Sequence, residues 1–248
     1  MSQQVLLGIL GGLGPMSTFR FCELLTAHTK ASGDADHIDM IVSSRATTPD
    51  RTNFILGRSQ KDPLPIMLEE LHRLENAGAD LIVIPCNTAH YFYCGLQKES
   101  LVPMLNIVEE TVAFLKKGNI KRIGLLATEG TVKSGSYAKV CKEAGIECLI
   151  PSEEEQSVIS NIIYQSVKQN KPADMKAFEI VAKSLQSRGC EKLVLGCTEL
   201  SLLDCSEMPS DLFLDSLDVL AYATILACKK TPVGFEAKSS LFGNEVTK

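Results

Sequence analysis

The sequence predicts an α/β protein made of two repeated units, and two repeats within the chain carry that prediction. The first is a pair of apolar nine-residue stretches, 78–86 and 189–197, which both end in a cysteine. Each has the length and composition of a buried strand in a parallel sheet. The second is a short apolar run that leads into a glycine-containing turn, at 5–10 and again at 122–128. A chain of 248 residues with these repeats favours two domains of related fold.

The first unit alternates apolar runs with amphipathic stretches. Its predicted elements are a strand at 5–10, a glycine-rich turn at 11–15, a helix from Ser17 to about residue 30, a strand at 38–44, a polar loop at 45–52 and a helix at 63–77. Ser17 is the expected helix cap, because a hydroxyl oxygen accepts hydrogen bonds from free N–H groups of a first turn. The last helix leads into the first cysteine strand.

The second unit repeats this order. Its predicted elements are a strand at 122–128, a turn at 129–131, a helix at 136–144 and a further helix that leads into the second cysteine strand. Residues 212–215 form a predicted late strand whose helix returns to the first half. We therefore expect a first domain of 1–105 plus 212–228 and a second domain of 106–211. The tail, 229–248, shows no sustained periodicity and is expected to be mobile.

Composition and charge narrow the classes of function. The chain is 45% hydrophobic and 22% charged, and its net charge of −5 offers no basic surface for nucleic acid or an anionic membrane. The apolar run near the start is too short for a signal-peptide core or a membrane span, so we expect a cytoplasmic protein. Nine cysteines without the spacing of a disulfide scaffold fit a reducing compartment.

Two of the cysteines lie where parallel sheets bind ligands. Cys86 and Cys197 end their strands, and ligands bind at the carboxyl ends of parallel strands. Small polar or acidic residues follow both thiols: Asn87, Thr88, Thr198 and Glu199. A single cysteine on an apolar strand is usually a buried structural residue. Two cysteines at matching ends of a repeat favour chemistry instead, and they indicate a site between the two units.

Four motifs make the sequence recognisable. They are Gly11-Gly12-Leu13-Gly14-Pro15, Pro49-Asp50-Arg51-Thr52, Pro85-Cys86-Asn87-Thr88-Ala89-His90 and Gly196-Cys197-Thr198-Glu199. Together they resemble the aspartate racemase branch of the aspartate/glutamate racemase superfamily, from about Leu7 to about Ala227. The two cysteine motifs are specific to the superfamily, and the arginine loop and the glycine turn narrow the resemblance to the branch.

The resemblance implies a fold and an activity. The implied fold is α/β with two pseudo-symmetric domains, each with a mainly parallel sheet flanked by helices, and an active site between them. The implied activity is interconversion of L- and D-aspartate, or of glutamate, without a cofactor. Relatives in the superfamily tend to form dimers, so we expect a homodimer that binds a small acidic amino acid.

The chemistry of racemisation explains why two thiols are needed. The α-proton must be removed from one face of the amino acid, and a proton must be returned to the other face. Two acid/base groups that face each other do this, and Cys86 and Cys197 are the candidates. A thiol has a reference pKa of about 8.5, which lets one partner be a thiolate while the other remains a thiol.

Substrate-binding residues follow from charge and from the family pattern. Arg51 is the candidate clamp for the side-chain carboxylate of the substrate, because a guanidinium binds a carboxylate in two places. Lys168 matches a lysine that the branch uses toward the substrate carboxylate. The family pattern gives the remaining binding roles to Asn87, Thr88, Thr198 and Glu199. Gly12 is expected to let the backbone approach the ligand, although tight strand-to-helix packing explains the glycine equally well.

Other readings of the chain remain open to test. The glycine turn lacks the spacing of a dinucleotide site, no metal-ligand spacing is present, and no Cys-x-x-Cys pair marks a redox centre. His90 is expected to cap or pack after its strand rather than to catalyse. The runner-up functions are a related superfamily isomerase or lyase that acts on another carboxylate, and a non-catalytic amino-acid-binding protein. The latter would keep Arg51 but would not need two thiols.

Overall fold

Two parallel sheets form the centre of the molecule. The computed structural model describes residues 4–206 and 208–245. The first sheet has the strand order β2-β1-β3 and the second has the order β5-β4-β6-β7, with every named pair parallel. The strands are β1 (Leu7–Gly11), β2 (Met40–Ser44), β3 (Leu81–Val83), β4 (Arg122–Leu126), β5 (Glu147–Leu149), β6 (Lys192–Leu195) and β7 (Phe213–Asp215).

Helices flank both sheets, as the predicted fold class requires. They are α1 (Pro15–Ala27), α2 (Arg51–Ile55), α3 (Leu64–Asn76), α4 (Tyr93–Glu99), α5 (Ile107–Lys117), α6 (Glu129–Ser134), α7 (Ser136–Ala144), α8 (Glu153–Asn161), α9 (Met175–Ser187) and α10 (Ser216–Ala227). The predicted α/β fold class is confirmed. No helix in the described part of the chain is long and apolar enough to cross a membrane.

Side-chain caps fix several of the helix starts near the sheet ends. Asp50 accepts a hydrogen bond at the start of α2, Asn106 accepts two at the start of α5, and Asp215 accepts one at the start of α10. The predicted cap at Ser17 is wrong. Helix α1 begins at Pro15, which the first turn of a helix favours, so Ser17 already lies inside the helix and is buried.

The predicted turn at 129–131 is also different in the structure. Glu129 is the first residue of α6, because the hydroxyl of Thr128 accepts a hydrogen bond from the N–H of Thr131 and caps the helix. The neighbouring α7 spans Ser136–Ala144, as the sequence predicts.

The late strand belongs to the second sheet. β7 pairs with β6 in parallel, with Asp215 opposite Leu195, so residues 213–215 do not join the first unit as expected. Helix α10 does cross toward the first unit and packs against α1 and α5. Phe213 belongs to the same core cluster as Leu193 and Leu195 of β6, which stabilises this strand in the second sheet. The division of the chain into two domains stays a prediction.

The tail is packed rather than mobile over its described part. Phe235 and Phe242 are buried, and their ring centroids lie 5.1 Å apart. Phe242 also contacts Phe114 of α5 at 4.6 Å and Tyr222 of α10 at 5.3 Å. The expectation of a mobile tail failed because a few widely spaced aromatic rings anchor this segment without producing any periodic pattern. Residues 246–248 of that expectation lie outside the described residues.

The aromatic anchor of the tail predicts a loss of stability on truncation. We expect Phe242→Ala to lower the free energy of unfolding by about 3–5 kcal/mol, because it empties a fully buried ring site. Urea denaturation measures this change. The control is Phe19→Ala, since Phe19 is 57% exposed on α1 and should cost little. Equal, small losses in both variants would mean that the tail does not contribute to the core.

Candidate active site

A cleft of about 280 Å³ lies between the two units at the carboxyl ends of both sheets. Both units line it, as the repeat in the sequence suggests. Eight of the nine predicted site residues are in its wall: Arg51, Cys86, Asn87, Thr88, Lys168, Cys197, Thr198 and Glu199. Gly12 is the exception. The structure therefore brings together residues that lie as far apart as 148 positions in the sequence, from 51 to 199.

Both cysteines are buried in the wall of this cleft. Cys86 follows β3 and Cys197 follows β6, and their exposed fractions are 5% and 3%. Burial raises the pKa of Cys86, which the nearby positive charge of Arg51 opposes. Burial also raises the pKa of Cys197, and the carboxylate of Glu199 adds to this rise. The two thiols thus occupy similar positions in different electrostatic surroundings.

Glu199 connects Cys197 to a cation. The thiol of Cys197 donates a hydrogen bond to Oε2 of Glu199 over 3.0 Å, and Oε1 of Glu199 is paired with the ammonium of Lys168. Burial disfavours the charge of Lys168, yet the carboxylate of Glu199 and the two nearby cysteines together raise the pKa of Lys168. Gly14 lies directly against this carboxylate, and a Cβ at that position would collide with Oε1. The glycine turn therefore makes room for Glu199.

The Cys86 side carries hydroxyl groups instead of a carboxylate. Thr88 corresponds to Glu199 in the repeat, and its hydroxyl lies 2.9 Å from the hydroxyls of both Thr128 and Thr131. All three threonines are buried, so the cluster satisfies its own hydrogen bonds. The residue two positions after Cys86 thus joins a neutral cluster, whereas the residue two positions after Cys197 joins an ion pair.

Arg51 is buried and is fixed by backbone carbonyls. Its terminal nitrogens donate to the carbonyls of Leu13 at 2.6 Å, Pro49 at 2.9 Å and Thr48 at 3.2 Å. The remaining nitrogen, Nε, is buried without a hydrogen-bond partner among the described residues. A buried donor in the wall of a cleft is costly unless a ligand satisfies it. This geometry suits an anionic group in the cleft.

Asn87 joins the two units beside Cys86. Its Oδ1 accepts a hydrogen bond from the hydroxyl of Tyr137 at 2.7 Å, and its Nδ2 donates to Oγ of Ser216 at 2.9 Å. Ser216 in turn donates to the carbonyl of Leu195 in β6 at 2.7 Å. These bonds fix the orientation of the Asn87 side chain and use one N–H of Nδ2 and one acceptor site of Oδ1.

The family assignment agrees with this architecture. The model of the Asp/Glu/Hydantoin racemase family matches residues 10–224 of the chain. The chain belongs to this family. The match covers both sheets and both cysteine loops, and it confirms the resemblance drawn from the sequence motifs.

Named relatives agree with an amino-acid racemase. The chain is 32% identical over 230 residues to the broad specificity amino-acid racemase RacX of Bacillus subtilis (strain 168), which covers 89% of this chain and 96% of that one. The structure of this chain is similar to that of the aspartate racemase of Picrophilus torridus, with a TM-score of 0.81 and 30% identity. The match covers 96% of this chain and 99% of that one. A putative Asp/Glu racemase of Yersinia pestis gives a TM-score of 0.78 at 26% identity, with coverage of 91% and 99%. The chain is therefore an amino-acid racemase.

Gly12 of the racemase does not line the cleft, contrary to expectation. Its φ angle is +80°, and a Cβ there would collide with the backbone of Arg45. Its N–H donates to the hydroxyl of Thr18 at 3.0 Å. The alternative explanation, close packing of the turn, accounts for this glycine because only glycine readily adopts a positive φ against a neighbouring backbone.

Other cleft residues of the racemase were not singled out from the sequence. They are Leu13, Asp50, Thr52, Thr128 and Tyr164. Tyr164 lies in the irregular helical segment Ile162–Ser166, where a wider turn continues α8. Wide helical turns are frequent at functional sites, but a single sequence carries no signal for them. Within 4–206 and 208–245, no group of three or more His, Cys, Asp or Glu side chains could hold a metal ion.

The electrostatics of Glu199 lead to a prediction about Cys197. We expect Glu199→Gln to lower the pKa of Cys197, because the substitution removes the negative charge that disfavours the thiolate. Alkylation of Cys197 by iodoacetamide, followed by mass spectrometry at a series of pH values, should then rise at a lower pH than in the unsubstituted protein. The exposed Cys94 is an internal control. A Cys197 profile that stays in place, or that moves to higher pH, would contradict the assigned repulsion.

Proposed function

We propose that this racemase interconverts the L- and D-forms of an acidic amino acid, aspartate ahead of glutamate, without a cofactor, by proton transfer between Cys86 and Cys197. One observation carries the proposal. The two thiols line a single cleft from opposite units, together with Arg51, whose buried Nε has no hydrogen-bond partner among the described residues. Two thiols supply the acid and the base, and the guanidinium supplies a site for a second carboxylate.

The proposed reaction has two proton transfers. The thiolate of one cysteine removes the α-proton, so the C–H bond breaks, an S–H bond forms, and the electron pair moves into the carboxylate-conjugated carbanion. The thiol of the other cysteine then gives its proton to the opposite face of the planar intermediate. The second cysteine is left as the thiolate, and it serves as the base when the other enantiomer enters.

The charges around the thiols support a division of labour in the resting site. Arg51 favours the thiolate of Cys86, because a positive charge stabilises it, whereas Glu199 disfavours the thiolate of Cys197. Of the two thiols, Cys86 then forms the thiolate more readily, which makes it the base for one enantiomer and leaves Cys197 as the acid. Glu199 also accepts a hydrogen bond from the thiol of Cys197, which holds that proton in place until it is transferred to the substrate.

Substrate selection follows from the rigidity of Arg51 in this proposal. Three backbone carbonyls hold its guanidinium in one position. Its distance from the thiols is therefore fixed, and only a ligand whose side-chain carboxylate lies at that distance from the α-carbon can bind both. Lys168 and the N–H groups of the residues that follow each cysteine face the α-carboxylate, where charge develops.

The relatives support an amino-acid substrate, and they differ in the breadth of their substrate specificity. The Picrophilus torridus relative is an aspartate racemase, whereas the Bacillus subtilis relative has broad specificity. The direct test is incubation of the purified protein with L-aspartate, L-glutamate and L-alanine without added cofactor, followed by chiral chromatography. D-aspartate as the fastest-formed product supports the proposal. No conversion of either acidic substrate would contradict it.

Removal of the Arg51 guanidinium should change substrate choice. We expect Arg51→Ala to weaken the action on aspartate by roughly tenfold to a hundredfold, because a charge-assisted pair of about 1.5–3 kcal/mol is lost. Any activity on alanine should change little. Chiral chromatography at limiting substrate concentration measures kcat/KM for both.

A matched control separates the role of Arg51 from general damage. Arg58→Ala removes an arginine from the same segment whose side chain is 58% exposed and paired with Glu129 outside the cleft, so it should leave substrate choice unchanged. Equal losses on aspartate and alanine in Arg51→Ala would show that Arg51 is structural or holds the α-carboxylate.

Deuterium oxide tests the two-base geometry. During conversion of L-aspartate, deuterium should enter chiefly the D-product at early times, because the returning hydron comes from the second, solvent-exchanged thiol. The recovered L-substrate should remain mostly protiated, as measured by mass spectrometry of the separated enantiomers. Early deuterium in the recovered L-substrate at the same rate as in the product would instead indicate a single base.

Cysteine variants extend this test. Cys197→Ala and Cys86→Ala should each stop racemisation, while each remaining thiol exchanges the α-hydrogen of one enantiomer only. Near wild-type racemisation in either variant, or exchange of the same enantiomer by both, would overturn the assignment of the two faces.

A further inference from the structure

His90 links the Cys86 loop to the start of helix α5. Its Nδ1 donates to the carbonyl of Cys86 at 2.8 Å, and its Nε2 accepts from the N–H of Ile107 at 3.1 Å. The ring is buried, and burial lowers the pKa of His90 to about 4, so the link stays neutral near neutral pH. The expected packing role of His90 agrees with this geometry.

Ser201 occupies the matching position in the second unit. It follows Cys197 by four residues, as His90 follows Cys86, and the two lie 111 positions apart. Its hydroxyl donates to Oδ1 of Asp215 at 2.8 Å. Asp215 is the residue before α10, and the same oxygen accepts from the N–H of Leu217 at 2.8 Å. Each cysteine loop is thus tied to the start of one crossing helix.

Asp215 is also tied to the strand that carries Cys197. It pairs in register with Leu195, which precedes Cys197 by two residues. The next residue, Ser216, contacts the carbonyl of Leu195 and the side chain of Asn87. The start of α10 therefore touches both cysteine loops. A change in the Ser201–Asp215 bond would act on the Cys197 loop from the side opposite the cleft.

We propose that Ser201 and Asp215 are positioning residues for Cys197, which hold the loop after this thiol against the start of α10, as His90 holds the loop after Cys86. The inference rests on the proposed two-cysteine function. Neither residue is expected to touch substrate, and Ser201 and Asp215 are absent from the wall of the cleft. Their effect is therefore confined to the face of the substrate that Cys197 serves.

The Ser201–Asp215 hydrogen bond differs from the His90 hydrogen bonds because the carboxyl group of Asp215 changes its protonation state near neutral pH. Burial raises the pKa of Asp215 to about 7, and the carboxylate of Asp218 on α10 adds to the rise. Lys238 of the tail, paired with Asp218 at 2.7 Å, opposes it. Arg20 of α1 and Cys205 of the loop after β6 line the same cavity as Asp215. As pH falls through about 7, Asp215 gains a proton, and its charge-assisted bond to Ser201 becomes a weaker neutral one.

Variants that keep only one of the two cleft cysteines allow proton exchange at each face of the substrate to be measured separately. In Cys86→Ala the remaining Cys197 exchanges one enantiomer of aspartate in deuterium oxide, and in Cys197→Ala the remaining Cys86 exchanges the other. We expect Ser201→Ala to slow exchange by Cys197 roughly threefold to tenfold and to leave exchange by Cys86 within about twofold. Ser201→Thr keeps the hydroxyl and should restore the rate. Equal slowing of both faces, or no slowing at Cys197, would overturn the proposal.

The pH profile distinguishes positioning from general loss of stability. Exchange by Cys197 should fall as pH drops through about 7, and Asp215→Asn, which cannot ionise, should remove this inflection. Asp218→Asn is the matched control, since it alters the charge of the same cavity without a bond to the loop. It should move the inflection to lower pH, because Asp218 raises the pKa of Asp215. An inflection that persists in Asp215→Asn would contradict the role of the carboxylate.

A second measurement does not depend on activity. The rate of alkylation of Cys197 relative to Cys86, measured by mass spectrometry, should change in Ser201→Ala and return in Ser201→Thr. If the wild-type protein racemises nothing and neither single-cysteine protein exchanges substrate, the proposed function fails. The alkylation ratio then still decides the positioning role, which an unchanged ratio in Ser201→Ala would overturn.

Discussion

The buried hydrogen bonds of the Asn87 side chain are the constraint on which the cleft depends. Asn87 follows Cys86 directly, yet its side chain bonds Tyr137 of the second unit and Ser216 at the start of α10. All three side chains are buried, so a broken partner would leave a desolvated polar group at a cost of about 1–3 kcal/mol. This buried network therefore ties the Cys86 loop to the second unit and to the start of α10.

On this nearly symmetric frame the charges are not symmetric. Gly14 and Gly130 hold matching positions. A Cβ at Gly14 would collide with Glu199, whereas a Cβ at Gly130 would collide first with Thr52 and would crowd the methyl group of Thr88. One unit thus presents a carboxylate with its lysine, and the other presents a hydroxyl cluster. A racemase that transfers protons between two thiols needs them in opposite protonation states. The repeat supplies matched positions, and the substitution of glutamate for threonine makes the two positions chemically different.

The sequence predicted what depends on local pattern and on exact spacing. The cysteine strands, the flanking helices and the two cysteines were identifiable because apolar runs and the 111-residue repeat are both visible in one dimension. The other six cleft residues came from the resemblance to the racemase family. The partner of a short strand is not visible in this way, so the pairing of β7 with β6 is known only from the structure. The tail was misjudged because the two aromatic anchors at Phe235 and Phe242 carry no period. Long-range polar contacts such as Asn87 to Tyr137 likewise have no sequence signal.

The thiols show why burial has to be weighed together with charge. The reference pKa of a thiol suggested one thiolate near neutral pH, whereas the structure raises the pKa of both Cys86 and Cys197 through burial. A buried thiolate forms less often, but once formed it is a stronger base than one in water, and the α-proton of an amino acid is a very weak acid. Arg51 beside Cys86 and Lys168 near Cys197 oppose part of the rise. In the proposed mechanism the cleft thus combines high basicity with enough positive charge to form the thiolate.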